Sequence, residues 1–240
     1  QRQMCIRDRL RDIQETALIN IEVEEQTMNI GIIGATGKLG TKVLDEAQQR
    51  GHEVTAIVRN AAKLDDDKDV KVIEKDVFDL TSDDIKDLDV VVNAFGAPLG
   101  EEEVHVEVGR VLINILKDVD TRAIIVGGAG SLFADDAHTI RVMDTPDFPE
   151  IVKPTAKGSS RNLQDLQHAE GITWTFISPS AEFDFEGKRT GTYTLGKDQL
   201  LFNSKGNSYI SYADFAIAIV DEAENKAHIN ERFTVVGEEE

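Results

Sequence analysis

"MNIGIIGATGKLG", residues 28–40, is a β-branched apolar run that breaks into glycines at Gly34, Gly37 and Gly40, with Lys38 inside the break. The stretch "NIGIIG" (29–34) is short and apolar, as a strand buried on both faces must be. After it, "KLGTKVLDEAQQRG" places Leu39, Val43, Leu44 and Ala47 on one helical face before Gly51 stops the helix. A second β-branched stretch, "EVTAIV" (53–58), completes a βαβ unit. In that setting each glycine has a separate task. Gly34 turns the chain out of the strand, Gly37 lets bare backbone approach a pyrophosphate, and Gly40 lets the helix pack close to the strand. The helix amino terminus offers unpaired N–H groups and the positive end of its dipole to the phosphates. Thr36 and Leu39 belong to the same phosphate-binding turn, where Lys38 either adds charge or points to solvent.

The pattern repeats along the chain. Strands are expected at 70–76, 89–96, 122–128 and 173–179, with helices over 101–119 and 156–170. Uniformly apolar strands separated by helices predict an α/β fold, a doubly wound parallel sheet of Rossmann type, with its ligand crevice at the carboxyl ends of the strands. One domain is expected over 28–237. Within it, 180–211 is rich in glycine and aromatic residues ("FDFEGKRTGTY", "LLFNSKGNSY") and reads as a small C-terminal substrate lobe. Phe183, Phe185 and Tyr193 are its candidate stacking residues, or else the lobe's own core. Residues 1–27 mix both charge signs and lack the apolar core of a secretory signal. Ile6, Leu10, Ile13 and Ala17 fall at helical spacing, but so short a helix is marginal alone, and the segment reads as a non-domain lead before a natural start at Met28.

Composition narrows the partners. A formal charge of −19 argues against nucleic acid or an anionic membrane surface, both of which attract lysine and arginine clusters. The single cysteine, Cys5, excludes an internal disulfide, and five scattered histidines give no local metal motif, so a metal-free cytoplasmic protein is expected. Apolar runs such as "AIIVGGAG" fall far short of the roughly 20 residues of a membrane span.

The second strand ends in "VRN" rather than in a carboxylate. Binders of NAD commonly place an acidic residue about 20 positions after the glycines to hold the ribose hydroxyls, whereas an arginine there accommodates a 2′-phosphate. Arg59 is planar, permanently charged and suited to phosphate, so NADP(H) is expected ahead of NAD(H), unless Arg59 is only a solvated loop residue.

"GATGKLG", "KDVFD" (75–79), "VVNAFGAP" (91–98), "IIVGGAGSL" (124–132), "WTFISPSAEFDFEGKRTGTY" (174–193) and "SYISYADFAIAIVDE" (208–222) occur in this order. Together the sequence resembles the atypical short-chain dehydrogenase/reductase superfamily, and within it the NAD(P)H-flavin reductase group related to biliverdin reductase B. The resemblance runs from Met28 to Val236. It implies that Asp76 and Val77 flank the adenine, that Ala94, Phe95 and Gly96 line the ribose on the nicotinamide side, and that Gly128 to Ser131 border the nicotinamide pocket. From the residues alone, Asp76 serves equally well as a loop cap and Phe95 as a core residue.

One departure bears on the chemistry. Typical members carry a tyrosine four residues before a lysine in the helix after the fifth strand, a pair that passes a proton to a carbonyl oxygen. Here that stretch reads "KPTAKGSS", with Lys153 in the tyrosine position and Lys157 in the lysine position. Ser131 occupies the place of the usual catalytic serine, so Ser131 and Lys157 are the candidate catalytic residues. Hydride transfer between nicotinamide and a flavin is intrinsic to the two rings and needs alignment more than a side-chain acid. The expected activity is therefore an NAD(P)H-dependent reductase passing hydride to a flavin, or a flavin-like or quinone acceptor, bound as a substrate. The alternatives are a sensor of NADP(H) without turnover, similar to the NmrA-like members, and, ranked lower, a nucleotide-sugar epimerase.

Overall fold

The computed structural model describes residues 27–64, 70–98 and 100–239. The expected lead helix lies outside these residues. β1 (Asn29–Ile33) and β2 (Glu53–Val58) pair in parallel around α1 (Lys38–Gln49), which buries Leu39, Val43, Leu44 and Ala47 as the periodicity required. β3 (Lys71–Glu74), β4 (Val90–Asn93), β5 (Arg122–Val126) and β6 (Trp174–Ser178) extend the sheet. The short α2 (Ser82–Ile85), then α3 (Glu102–Leu116) and α4 (Lys153–Gln167), make the connections.

The sheet order is β3-β2-β1-β4-β5-β6-β10-β8, where β8 is Tyr193–Gly196 and β10 is Glu231–Gly237. Only the β10–β8 pairing is antiparallel. β7 (Glu182–Asp184) and β9 (Tyr209–Ser211) form a separate parallel pair beyond β6, and α5 (Tyr212–Asn225) returns the chain from β9 to β10.

Alternating side chains divide the core into two layers. Ile30 and Ile32 of β1 face α1 and α5, packing with Val43, Leu44, Phe215 and Ile219. Ile33 faces the opposite way, with Leu112, Leu116, Leu163 and Phe176 between the sheet and the pair α3–α4. Burial of each such side chain is worth about 1.5–3 kcal/mol before conformational entropy is charged against it.

Two boundaries differ from expectation in a way that shapes the site. The fourth strand stops at Asn93 instead of running to residue 96, because the Asn93 Oδ1 accepts the Phe95 N–H at 3.2 Å and turns the chain aside. The helix expected from 156 begins at Lys153, with Pro154 in its first turn, where its missing N–H costs nothing. β1 lies between β2 and β4, whose connections leave in opposite directions, and this switch point opens a crevice at the carboxyl ends of the strands.

Candidate cofactor and acceptor cleft

At the end of β1 the chain turns through Gly34 at φ 79°, a left-handed conformation that favours glycine. Its N–H donates to the Ile57 carbonyl at 3.0 Å, and its own carbonyl accepts the Gly37 N–H at 2.8 Å. A Cβ on Gly40 would overlap the Gly34 carbonyl, so α1 starts hard against the turn. No side chain caps α1 and no acidic residue lies in its first turn. Its amino terminus is therefore open to an anion, and the bare loop fits a pyrophosphate.

From this loop the crevice extends in two directions. Toward β2 and β3 lies a hollow of about 270 Å³, lined by Arg59, Asn60, Lys63, Lys75 and Val77. Arg59 and Lys63 are exposed and make no ion pair with a described residue, while Lys75 is paired with Asp84 at 2.6 Å. Val77 stands in the wall of this hollow. Asp76 does not: its carboxylate accepts the Phe78 N–H at 3.1 Å and caps the turn Val77–Asp79. Gly34, Thr36, Gly37, Ala94, Phe95 and Gly96 form the floor between this hollow and the other arm.

The other arm is a larger cleft of about 610 Å³, entered past Lys38 and Leu39 and bordered by Gly128, Ala129 and Gly130. Phe148, Pro149, Val152 and the α4 residues Thr155, Ala156 and Ser159 form one wall, and Pro179 to Ala181, Phe183 and Tyr212 another. Among the described lining residues there is no carboxylate, and the titratable side chains are Lys38, His105 and Tyr212. Burial raises the Tyr212 phenol above its usual range, which keeps it protonated, and burial lowers the His105 imidazole, which favours its neutral form.

The two catalytic candidates are not brought to this cleft. Ser131 is 4% exposed, and its hydroxyl accepts a hydrogen bond from the Arg232 guanidinium of β10 at 3.1 Å, while Asp198 holds the other side of that guanidinium. The hydroxyl is thus committed to tying the loop after β5 to the last strand. Lys157 is exposed on α4, and Lys153 pairs with Glu150 at 3.0 Å, because the helix turns Thr155 and Ser159 toward the cleft instead.

The aromatic candidates separate in the same way. Phe183 lines the cleft, its ring 4.0 Å from that of Tyr212 and 4.8 Å from that of Phe215. Phe185 lies under the Lys38 ammonium, 3.6 Å from the ring centre, as a clasp over the glycine loop. Tyr193 faces α5, where its hydroxyl donates to Asp221 at 2.6 Å; burial and that bond push its pKa well above the usual phenol range. Sequence reasoning missed Asn60, Lys63, Lys75, His105, Thr155, Ser159 and Tyr212. The signal that could have found Lys63 and Lys75 was the cations placed after β2 and β3.

The sequence profile of a family described as NAD(P)H-binding matches residues 34–226, from the glycine turn to the end of α5. The chain belongs to this NAD(P)H-binding family. Protein YwnB of Bacillus subtilis (strain 168) is 61% identical over 214 residues, covering 89% of this chain and all of YwnB. Among solved structures, a Streptococcus pneumoniae protein described as a proposed NADH-flavin reductase is 41% identical, with a TM-score of 0.81, covering 88% of this chain and all of the other. A Bacteroides thetaiotaomicron protein described as a proposed epimerase is 36% identical, with a TM-score of 0.80, covering 90% and 99% of the two chains. These relatives support the short-chain dehydrogenase/reductase fold that the order of motifs implied.

Proposed function

We propose that the protein is an NADPH-dependent reductase that passes hydride to a flavin or a flavin-like acceptor bound as a substrate. The observation that carries this reading is one continuous crevice with two unlike arms. A cationic hollow beyond the glycine loop suits a phosphorylated adenosine, and a wide arm without carboxylates suits a planar ring. Reduced nicotinamide supplies the hydride when bound. The chain's own residues bind and orient: the α1 amino terminus and Lys38 meet the pyrophosphate, Arg59 and Lys63 meet the 2′-phosphate, and Ala94 to Gly96 and Gly128 set the ring at the wide arm. Segment 180–211 acts as a substrate lobe, contributing Pro179's neighbours Ser180 and Ala181 together with Phe183 to the acceptor wall.

The α4 face turned to the cleft carries Thr155 and Ser159, not a tyrosine and a lysine, so no phenol–ammonium pair stands there for carbonyl reduction. Alignment of two rings in a site that excludes water is the contribution left to the protein, and it is the one that hydride exchange with a flavin requires. The flavin reductase description of the Streptococcus pneumoniae relative supports the same reading. The test is NADPH oxidation with riboflavin, FMN, FAD and a quinone supplied in turn. Turnover with at least one flavin is expected, and inertness toward all four would remove the proposal.

A further inference from the structure

We propose that His105 selects the acceptor by donating a hydrogen bond from its Nδ1–H to a carbonyl oxygen at the edge of the acceptor ring. This rests on the reductase reading and narrows it: the acceptor is a planar conjugated ring carrying an edge carbonyl.

Four observations converge on this imidazole. It lines the wide arm of the cleft, on the same wall as Phe95, whose ring meets it edge to face at 6.2 Å and fixes its plane. Its Nε2 is closed off from solvent and has no hydrogen-bond partner. Either tautomer leaves Nε2 unpartnered, but a buried N–H without an acceptor is the rarer and costlier state, so the proton is assigned to Nδ1, the nitrogen not closed off in this way. Burial is the cause that depresses its basicity, and the nearby carboxylates do not offset it, since Glu102 and Glu103 are engaged by Arg161 at 3.1 and 2.6 Å. Of the two ring nitrogens, the one left open to a ligand is Nδ1, an uncharged donor in this tautomer.

The fold also holds this group in place. α3 and α4 approach so closely at Gly158 that a Cβ there would overlap the Glu102 carbonyl and come within 3.2 Å of the His105 Cβ. The glycine seats the first turns of α3 against α4, and with them the imidazole. Lys38, the one cation among the described lining residues of this arm, is already held over Phe185 near the glycine loop, and Tyr212 stands with Phe183. A carbonyl on the acceptor is a partner that satisfies a neutral N–H in a cleft whose described lining holds no carboxylate.

The experiment follows quenching of riboflavin fluorescence on titration with NADP⁺-saturated protein, for the unmodified chain, His105→Phe and His105→Gln. Phenylalanine keeps the bulk and loses the donor; glutamine restores an N–H. Riboflavin affinity is expected to fall about tenfold in His105→Phe and to return to within about threefold in His105→Gln, a tenfold change being the size of one hydrogen bond. In turnover the loss should appear in the riboflavin KM. The ratio of kcat/KM for riboflavin to that for phenazine methosulfate, a ring acceptor without a carbonyl, should fall by a similar factor. NADP⁺ binding by calorimetry checks that each variant is folded.

Unchanged riboflavin affinity in His105→Phe would overturn the inference, as would an equal loss toward both acceptors or the absence of any riboflavin binding to the unmodified chain. If riboflavin binds in a His105-dependent way while NADPH is never oxidised, the reductase reading falls and the hydrogen bond stands.

Discussion

In the proposed reading, Arg59 is the residue on which the choice between NADPH and NADH turns. It follows β2 directly, lines the hollow beyond the glycine loop and makes no ion pair with a described carboxylate, so its guanidinium is available to a 2′-phosphate. Because it is exposed, the contribution should sit at the low end for a charge-assisted bond, about 1.5 kcal/mol. Arg59→Ala is therefore expected to cut the preference for NADPH over NADH by about tenfold in calorimetry; equal affinities in the unmodified protein would remove the assignment. The lysines of α4 should behave differently. Lys153→Met and Lys157→Met are expected to lower turnover by less than about tenfold, well short of the 10²–10⁴ lost with a general acid, because neither side chain lines the cleft. The glycine turn was legible because backbone conformation constrains residue type directly. Ser131 was misread because its hydroxyl is taken by Arg232, 101 residues further on, and no local pattern announces such a partner. His105 was overlooked for the complementary reason: on an amphipathic helix, a histidine at the cleft edge has the same spacing as one in solvent.

At the scale of elements, periodicity found the strands and helices of the sheet but set the expected fourth strand too long, since apolar residues continue past the point where Asn93 bends the chain. It also left the rotation of α4 unread, and a shift of two residues decides whether lysines or hydroxyls face the ligand. The joint between α5 and β5 shows a contact with no sequence signature at all. Arg122 of β5 and Glu222 of α5 form a buried ion pair at 2.9 Å, with side chains 5% and 3% exposed, and His228 reaches the same carboxylate at 2.8 Å. Removing one partner leaves an uncompensated charge in the interior. Glu222→Ala should lower the unfolding free energy by about 3–5 kcal/mol, measured by urea titration. A loss under about 1 kcal/mol would mean that Arg122 finds solvent by rearrangement.

At the scale of the whole molecule, the parallel sheet and the placing of its crevice at the strand carboxyl ends followed from the alternation of apolar strands and helices, whereas the strand order is read from the structure. The β8–β10 edge did not follow from that alternation, because strands of four and seven residues far apart in sequence give no joint pattern. Charge is distributed against the average. A chain of net charge −19 lines its crevice with Lys38, Arg59, Lys63 and Lys75 and with no described carboxylate in the wide arm. Since Arg59 and Lys63 are exposed, NADPH affinity should weaken as ionic strength rises, while the affinity for uncharged riboflavin should hold steady. Parallel salt titrations check this, and a salt-independent NADPH affinity would place the phosphate elsewhere. The segments from 182 to 193 are bound to the rest by Arg189–Glu46 at 3.0 Å, by Tyr193–Asp221 and by the Lys38–Phe185 contact, so they and the glycine loop form one unit.

The central claim is that this unit passes hydride from NADPH to a ring in the wide arm. Anaerobic mixing of the protein with NADPH and riboflavin, with nicotinamide and flavin absorbance followed together, tests it most directly. The account predicts catalytic loss of both signals in equal amounts, saturating in each reactant. Tight NADPH binding with both absorbances unchanged would contradict it and leave a nucleotide-binding protein without turnover.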